Sequence, residues 1–396
     1  MSLGRRYWTF LLWLFKTGRL APPAFLGFLS VVSVFPIFLR LDLFCPSLAV
    51  PQIDAVVVCS AGLQLKDANM NLAGSCDTIS RRLFLGLSAA ALASCRGSSD
   101  VLANHAVKSP IIDTHMHVWS GDPQKFPLVH PYIPHFQPPK TAGTVEMLVQ
   151  EMDQFGITQC VIVQAIYHGW DNLYVADCLR RYPDRFRVHG LIDPTDPLVA
   201  DKLSFWMKEH GLSGMRFSPI YYLGKDEWMN GPAHHALWQK AGDLHAIFNY
   251  FISTPQLPRL EEMIGQYPQV RVVIDHFARV DLKASDPLPE FQKLLRLAKY
   301  PNVWAKVTEL SVISPSGRHP YRDTFPWVRR LYDAFGPDRL LWGTGFPGST
   351  RVENGRPDLP HELELVQKEL DFFTDEDRSK ILGNNAAKLW DFPQLS

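Results

Sequence analysis

The run Ile111-Ile112-Asp113-Thr114-His115-Met116-His117 ends an apolar strand with two imidazoles two residues apart. Alternate residues of a strand face the same side, so His115 and His117 can converge on one metal ion, one water or one substrate. The same spacing also arises where two rings merely cap a sheet or meet solvent, so the surrounding elements decide the matter. Asp113, just before the pair, is expected to orient a histidine or a backbone amide.

Stepping along the chain from Pro110, apolar runs of strand length recur every 25 to 35 residues or so, with helical patterns between them, which is the rhythm of repeated βα units. The expected strands are residues 111–119, 159–165, 186–193, 214–219, 246–253, 271–276, 303–310 and 340–347. Helices are expected to begin near Thr144, Asn172, Pro197, His234, Pro255, Leu288 and Tyr321, with two more after Pro360. Eight such units predict an α/β fold, a closed (β/α)8 TIM barrel over residues 110–396, whose chemistry sits at the C-terminal ends of its strands. An open doubly wound sheet would need a nucleotide cradle after the first strand, and neither Gly-x-Gly-x-x-Gly nor Gly-x-x-x-x-Gly-Lys is present.

The strand ends carry His115 and His117 on the first strand, Arg216 on the fourth and His276 on the sixth. Arg216 would be costly to bury unpaired, so it meets either an internal carboxylate or an anionic ligand, and its place near a strand end favours the ligand. Arg351, in the loop after the eighth strand, is a candidate second anion clamp or a solvated side chain. Tyr167, His168, Trp170 and Asp171 follow the second strand and overlook the mouth, where they could wall a ring-shaped pocket. Alternatively Trp170 packs on the next helix, and Asp171 or Asn172 caps it, with Asn172 the preferred cap. Lys306 points either into the barrel or onto the outer helices.

The chain has 396 residues, 46% of them hydrophobic, enough to bury a large core. Forty basic residues balance forty acidic ones, and no Lys/Arg run is interleaved with aromatics, which argues against a nucleic-acid partner. Of the six cysteines, Cys45, Cys59, Cys76 and Cys95 precede the barrel, while Cys160 and Cys178 read as buried free thiols.

Residues 70–95 contain Ser80-Arg81-Arg82, a modest apolar stretch and Leu92-Ala93-Ser94-Cys95, a pattern that resembles a twin-arginine export signal ending in a lipobox. An exported, periplasmic or membrane-anchored lipoprotein is the expectation, with translation beginning at Met70 and residues 96–109 as linker. If residues 1–69 are translated, their apolar stretches approach the span of about 20 residues that a bilayer requires, and an N-terminal anchor becomes the alternative. Contact with a membrane is expected only through that lipid or anchor.

Asp113-Thr114-His115-Met116-His117, Val272-Val273-Ile274-Asp275-His276 and Leu340-Leu341-Trp342-Gly343-Thr344-Gly345-Phe346-Pro347 together resemble the amidohydrolase superfamily. Asp171-Asn172, Gly214-Met215-Arg216-Phe217 and Gly383-Asn384-Asn385-Ala386-Ala387-Lys388-Leu389-Trp390 extend the likeness over residues 110–392. The branch it resembles is the amidohydrolase-related family, which includes dicarboxylate lactonases, sugar lactonases and some decarboxylases. The resemblance implies that His115, His117 and His276 carry the chemistry. It also implies an acid at the end of the eighth strand, where this chain has Gly345, and a histidine at the end of the fifth, where it has Phe251-Ile252-Ser253-Thr254. A binuclear metal centre is therefore not expected.

Three readings follow from the resemblance. A single zinc or manganese ion could bind His115, His117 and a third ligand such as His276 or Glu309, since three protein ligands and a water suffice. Histidines and arginines could instead polarise an ester carbonyl without metal. A degenerate barrel would bind a ligand and not turn it over. The expected activity is hydrolysis of a small carboxylated or sugar-derived lactone, with Arg216, Tyr167, His168 and Arg351 binding an anionic small molecule; a metal-dependent decarboxylase is the alternative.

Overall fold

The computed structural model describes residues 109–394. The export, lipobox and anchor readings, and the start at Met70, lie outside the described residues. No helix among the described residues is long and apolar enough to cross a membrane.

Eight parallel strands follow one another around the sheet in chain order: β1 (Ile112–Met116), β2 (Gln159–Val163), β3 (Phe186–Leu191), β4 (Gly214–Phe217), β5 (Ile247–Tyr250), β6 (Arg271–Ile274), β7 (Val303–Val307) and β8 (Leu340–Trp342). Closure is made between the first and last strands. Thr114 Oγ1 donates to the Trp342 carbonyl at 2.6 Å, His117 N donates to the Gly345 carbonyl at 2.8 Å, and Met116 bridges Gly345 in parallel register. The principal helices are α1 (Val145–Phe155), α2 (Leu173–Arg181), α3 (Val199–His210), α4 (Pro232–Asp243), α5 (Leu257–Gln266), α6 (Leu288–Leu295) and α7 (Phe325–Phe335). Helix starts are set by local chemistry: Thr144 Oγ1 accepts from Met147 N to cap α1, and proline occupies the first turn of α4 to α7.

Strand periodicity sorts the core into two clusters. Cys160 and Ile162 of β2 face the helices, whereas Val161 and Val163 face inward with Ile112, Val273 and Leu341. Inside, the last helix, α10 (Asn385–Leu389, after α8 at Leu359–Glu364 and α9 at Asp375–Ser379), brings Leu389 and Trp390 against that inner cluster. Trp390 Nε1 donates to His189 Nε2 at 2.8 Å, which seals this end and leaves the other end for chemistry. Cys160 and Cys178 are buried free thiols, as expected.

The strands are shorter than their apolar runs, mainly at their C-terminal ends. The eighth stops at Trp342, not Pro347, and the fifth at Tyr250, not Ser253. In each case the chain leaves the ladder to curl over the mouth, and the continuing apolar residues pack there. The capping expectation also needs correction. Asp171 Oδ1, not Asn172, accepts from Leu173 N at 2.8 Å. Asn172 is fully buried and pins the β3 end instead, accepting from Leu191 N at 2.7 Å and donating to its carbonyl at 2.9 Å. The amide can do both at once, and a buried backbone pair without partners would be expensive. Trp170 packs edge-on against Tyr132, 5.7 Å between centroids.

Candidate active site

His115, His117 and His276 do meet at one end of the barrel. The His115 ring lies 4.8 Å from that of His117 and 4.4 Å from that of His276, both edge-on. A cavity of about 210 Å³ opens there, and His117, His276, Arg216, Glu309, Tyr167 and Arg356 line it together with Tyr221, Phe251 and Phe346. His115 is not among the lining residues. It sits behind the other two, buried against charged groups.

Those groups form one network centred on Asp275, the residue before His276 and itself fully buried. Asp275 Oδ2 accepts from Arg216 Nε at 3.0 Å, while Oδ1 accepts from Asn249 Nδ2 at 2.7 Å and from Lys306 Nζ at 3.1 Å. Lys306 therefore points into the barrel, which the sequence left open. Burial opposes ionisation of Asp275, but Lys306, His115 and Arg216 together hold its carboxyl well below the usual range. Arg216 meets an internal carboxylate, the first of the two partners considered for it, through its Nε, while its guanidinium lines the cavity, 4.5 Å over the Phe251 ring.

A backbone hydrogen bond defines the His117 tautomer. His117 Nδ1 lies 2.8 Å from the Val163 carbonyl, which only accepts, so Nδ1 carries the proton and Nε2 the lone pair. His115 Nε2 lies 3.2 Å from His117 Nε2, and His115 Nδ1 faces both Lys306 Nζ at 3.0 Å and Asp275 Oδ1 at 3.5 Å. Burial, followed by the nearby cations, keeps all three rings neutral: His117 falls to about 3, and His115 and His276 lie well below 6.5. Asp113 orients backbone as expected. Oδ1 accepts from His115 N at 2.9 Å and from Thr344 N at 3.1 Å, while Oδ2 accepts from Thr344 Oγ1 at 2.5 Å. Gly343 permits this close approach, because a Cβ there would stand 2.8 Å from His115 N and Cβ.

His276 opens a left-handed turn. Residues 276 to 279 all have positive φ, between 49° and 55°, and none is glycine. Such conformations cost about 1–3 kcal/mol each and persist where the surroundings over-determine them. Here the turn aims both His276 and Arg279 at Glu309. His276 Nδ1 bonds Thr308 Oγ1 at 2.7 Å, and its Nε2 lies 3.8 Å from Glu309 Oε1.

Other expected site residues are placed differently. Tyr167 lines the cavity, but His168 turns away, Nδ1 toward the Pro127 carbonyl at 3.0 Å and Nε2 accepting from Ser120 N at 3.2 Å. Arg351 is neither a clamp nor solvated. It is 1% exposed and paired with Glu151 at 3.2 Å, and the arginine of that loop that reaches the cavity is Arg356. Glu309 is only 9% exposed and lines the cavity. Asp275, Arg279, Asn249 and Arg356 were missed as site residues. Only Asp275 carried a signal, a charge closing the apolar run Val272-Val273-Ile274.

The donor set is largely committed to protein partners. The ligand atoms of His115, Asp275 and His276 lie within 4.8 Å of one another, and the two Nε2 atoms have a spacing that one ion could bridge. Asp275 is shared by Arg216 and Lys306, Lys306 faces His115 Nδ1, and Gly345 offers nothing. A catalytic zinc takes three protein ligands with free lone pairs.

The geometry defines a class: a parallel (β/α)8 barrel enzyme with a buried imidazole and guanidinium site at its mouth. The family model described as amidohydrolase matches residues 112–392, and the chain belongs to that family and is a hydrolase. It is 31% identical over 279 residues to 4-sulfomuconolactone hydrolase of Hydrogenophaga intermedia, covering 70% of this chain and 88% of that one. It is 27% identical over 303 residues to 2-pyrone-4,6-dicarboxylate hydrolase of Comamonas testosteroni, covering 70% and 89%. Among solved structures, an amidohydrolase from Burkholderia multivorans with bound zinc shares the fold at a TM-score of 0.58 and 20% identity, covering 72% of this chain and all of that one.

Proposed function

We propose that the protein adds water to the ring ester of a small lactone, carboxylated or sugar-derived, without a resident metal. The observation that carries this reading is the meeting of His276, Arg216 and His117 on one cavity at the open end of the barrel. Lactone hydrolysis needs a group that takes a proton from water and a charge that receives the oxyanion. His276 has a neutral ring, Nδ1 held by Thr308, and Nε2 left for water. Arg216 is anchored at Nε by Asp275, so its terminal nitrogens stand ready for the carbonyl oxygen without reorganising. His117, with both nitrogens engaged, is a rigid wall beside them.

In the reaction the water oxygen bonds to the carbonyl carbon as His276 Nε2 takes its proton, and negative charge on the carbonyl oxygen meets Arg216. The ring C–O bond then breaks as the carbonyl re-forms, and His276 returns the proton to the departing ring oxygen, giving a hydroxy acid. The reactions named for the two curated relatives support a lactone over a decarboxylation substrate. Decarboxylation would require a tightly held zinc or manganese, a centre to which Gly345 contributes no acid.

The test is acid release in a pH-stat from a panel of carboxylated and sugar lactones, with elemental analysis of the same sample. Turnover of at least one lactone, unchanged by chelator and with metal well below one ion per chain, is expected. Activity that disappears with chelation and returns with zinc or manganese would overturn the metal-free mechanism, and no turnover on the panel would overturn the lactone reading.

The twin-arginine and lipobox motifs support a second part of the proposal, an exported enzyme held at a membrane surface by lipid on Cys95. Mass spectrometry of the mature protein from its native host tests it. A first residue other than a lipidated Cys95 would refute it.

A further inference from the structure

Glu309 lines the cavity, yet its carboxylate is already spoken for. Arg279 Nη1 donates to Oε2 at 2.7 Å and Arg356 Nη2 donates to Oε1 at 2.6 Å. Its backbone is left-handed, φ 59°, a conformation a glutamate adopts only under constraint. Arg356 lines the cavity while Arg279 holds Glu309 from outside that lining, and without Glu309 the cavity-facing guanidinium would make a bidentate site for a substrate carboxylate. The chain supplies that carboxylate itself. Arg356 Nε is buried with no protein partner, so the guanidinium is held for Glu309 and not saturated elsewhere.

We infer that Glu309 is a specificity-determining residue that fills the second anion site with its own side chain, restricting the substrate to a lactone with at most one anionic group. A second carboxylate reaching Arg356 from the cavity would have to lie against Glu309, and two carboxylates in a poorly solvated site repel strongly. The lone pairs of Glu309 that remain accept hydrogen bonds, so a hydroxyl is the substituent that fits on that side. The inference rests on the lactone reading and narrows it toward hydroxylated, neutral or monoanionic rings, in contrast with the dicarboxylate named for the Comamonas testosteroni relative.

The test uses inert rings, so that it does not depend on turnover. Benzoate, 3-hydroxybenzoate and benzene-1,3-dicarboxylate are titrated calorimetrically into the wild-type protein, Glu309→Gln and Glu309→Asp. In the wild type the dicarboxylate is expected to bind about tenfold or more weaker than 3-hydroxybenzoate, the effect of a like charge a few ångströms away. Glu309→Gln should shift that ratio about tenfold or more toward the dicarboxylate, while Glu309→Asp, which keeps the charge, holds the wild-type order. Tighter wild-type binding of the dicarboxylate, an unmoved ratio in folded Glu309→Gln, or no binding of any of the three acids overturns the inference. Acids that bind in the expected order to a protein that opens no lactone would support the role of Glu309 while removing the lactone reading.

Discussion

Replacing His276 by alanine lowers kcat about 10²- to 10⁴-fold, the range expected when a positioned proton acceptor is removed. The loss should fall on kcat more than on KM, because the imidazole takes its proton only as the water attacks, and a group used only in the transition state leaves ground-state binding nearly intact. Circular dichroism should change little and the urea midpoint should fall modestly, since alanine loses the Thr308 hydrogen bond and favours the left-handed turn less than histidine does. The pH profile is a second readout. His276 is held well below 6.5 by burial and by His115, so its neutral form persists as pH falls through 6.5. The wild-type rate should therefore hold its plateau below pH 6 and decline only when the buried ring at last takes a proton. Retention of more than a tenth of wild-type kcat in His276→Ala would refute the assignment.

Asp275→Asn is expected to cost about 3–5 kcal/mol of folding stability, the usual consequence of removing one partner from a buried charge network. Arg216 and Lys306, 8% and 0% exposed, share this carboxylate, so losing its charge leaves two buried cations without their anion. Asparagine keeps the shape and a hydrogen-bond acceptor, so the loss reports the charge and not a cavity. It is read as a lower urea midpoint at constant slope. Turnover should fall as well, because Arg216 loses the partner that fixes its guanidinium over Phe251. A wild-type midpoint in Asp275→Asn would show that Lys306 sheds its proton and that the network carries no net charge to balance.

The barrel was legible in the sequence because its signals are local. Apolar runs of strand length, the Thr144 cap and prolines at helix starts act within a few residues of themselves, and their repetition implies eight βα units. The pairing of His115 with His117 is also local, since strand geometry puts alternate residues on one face. Contacts between distant segments could not be read this way. Arg351 and Arg356 sit in the same loop, and only packing sends one into the core against Glu151 and the other to Glu309. Asn172 looks like a cap until β3 presents Leu191 to it, and Lys306 has two faces available until the barrel closes around Asp275. By itself the chain determines its architecture and the strand ends from which chemistry comes. Which imidazoles reach the cavity, which cations remain available, and whether a carboxylate already occupies the anion site are decided by side chains far apart in sequence, whose charges acquire partners only when the strands close into a ring.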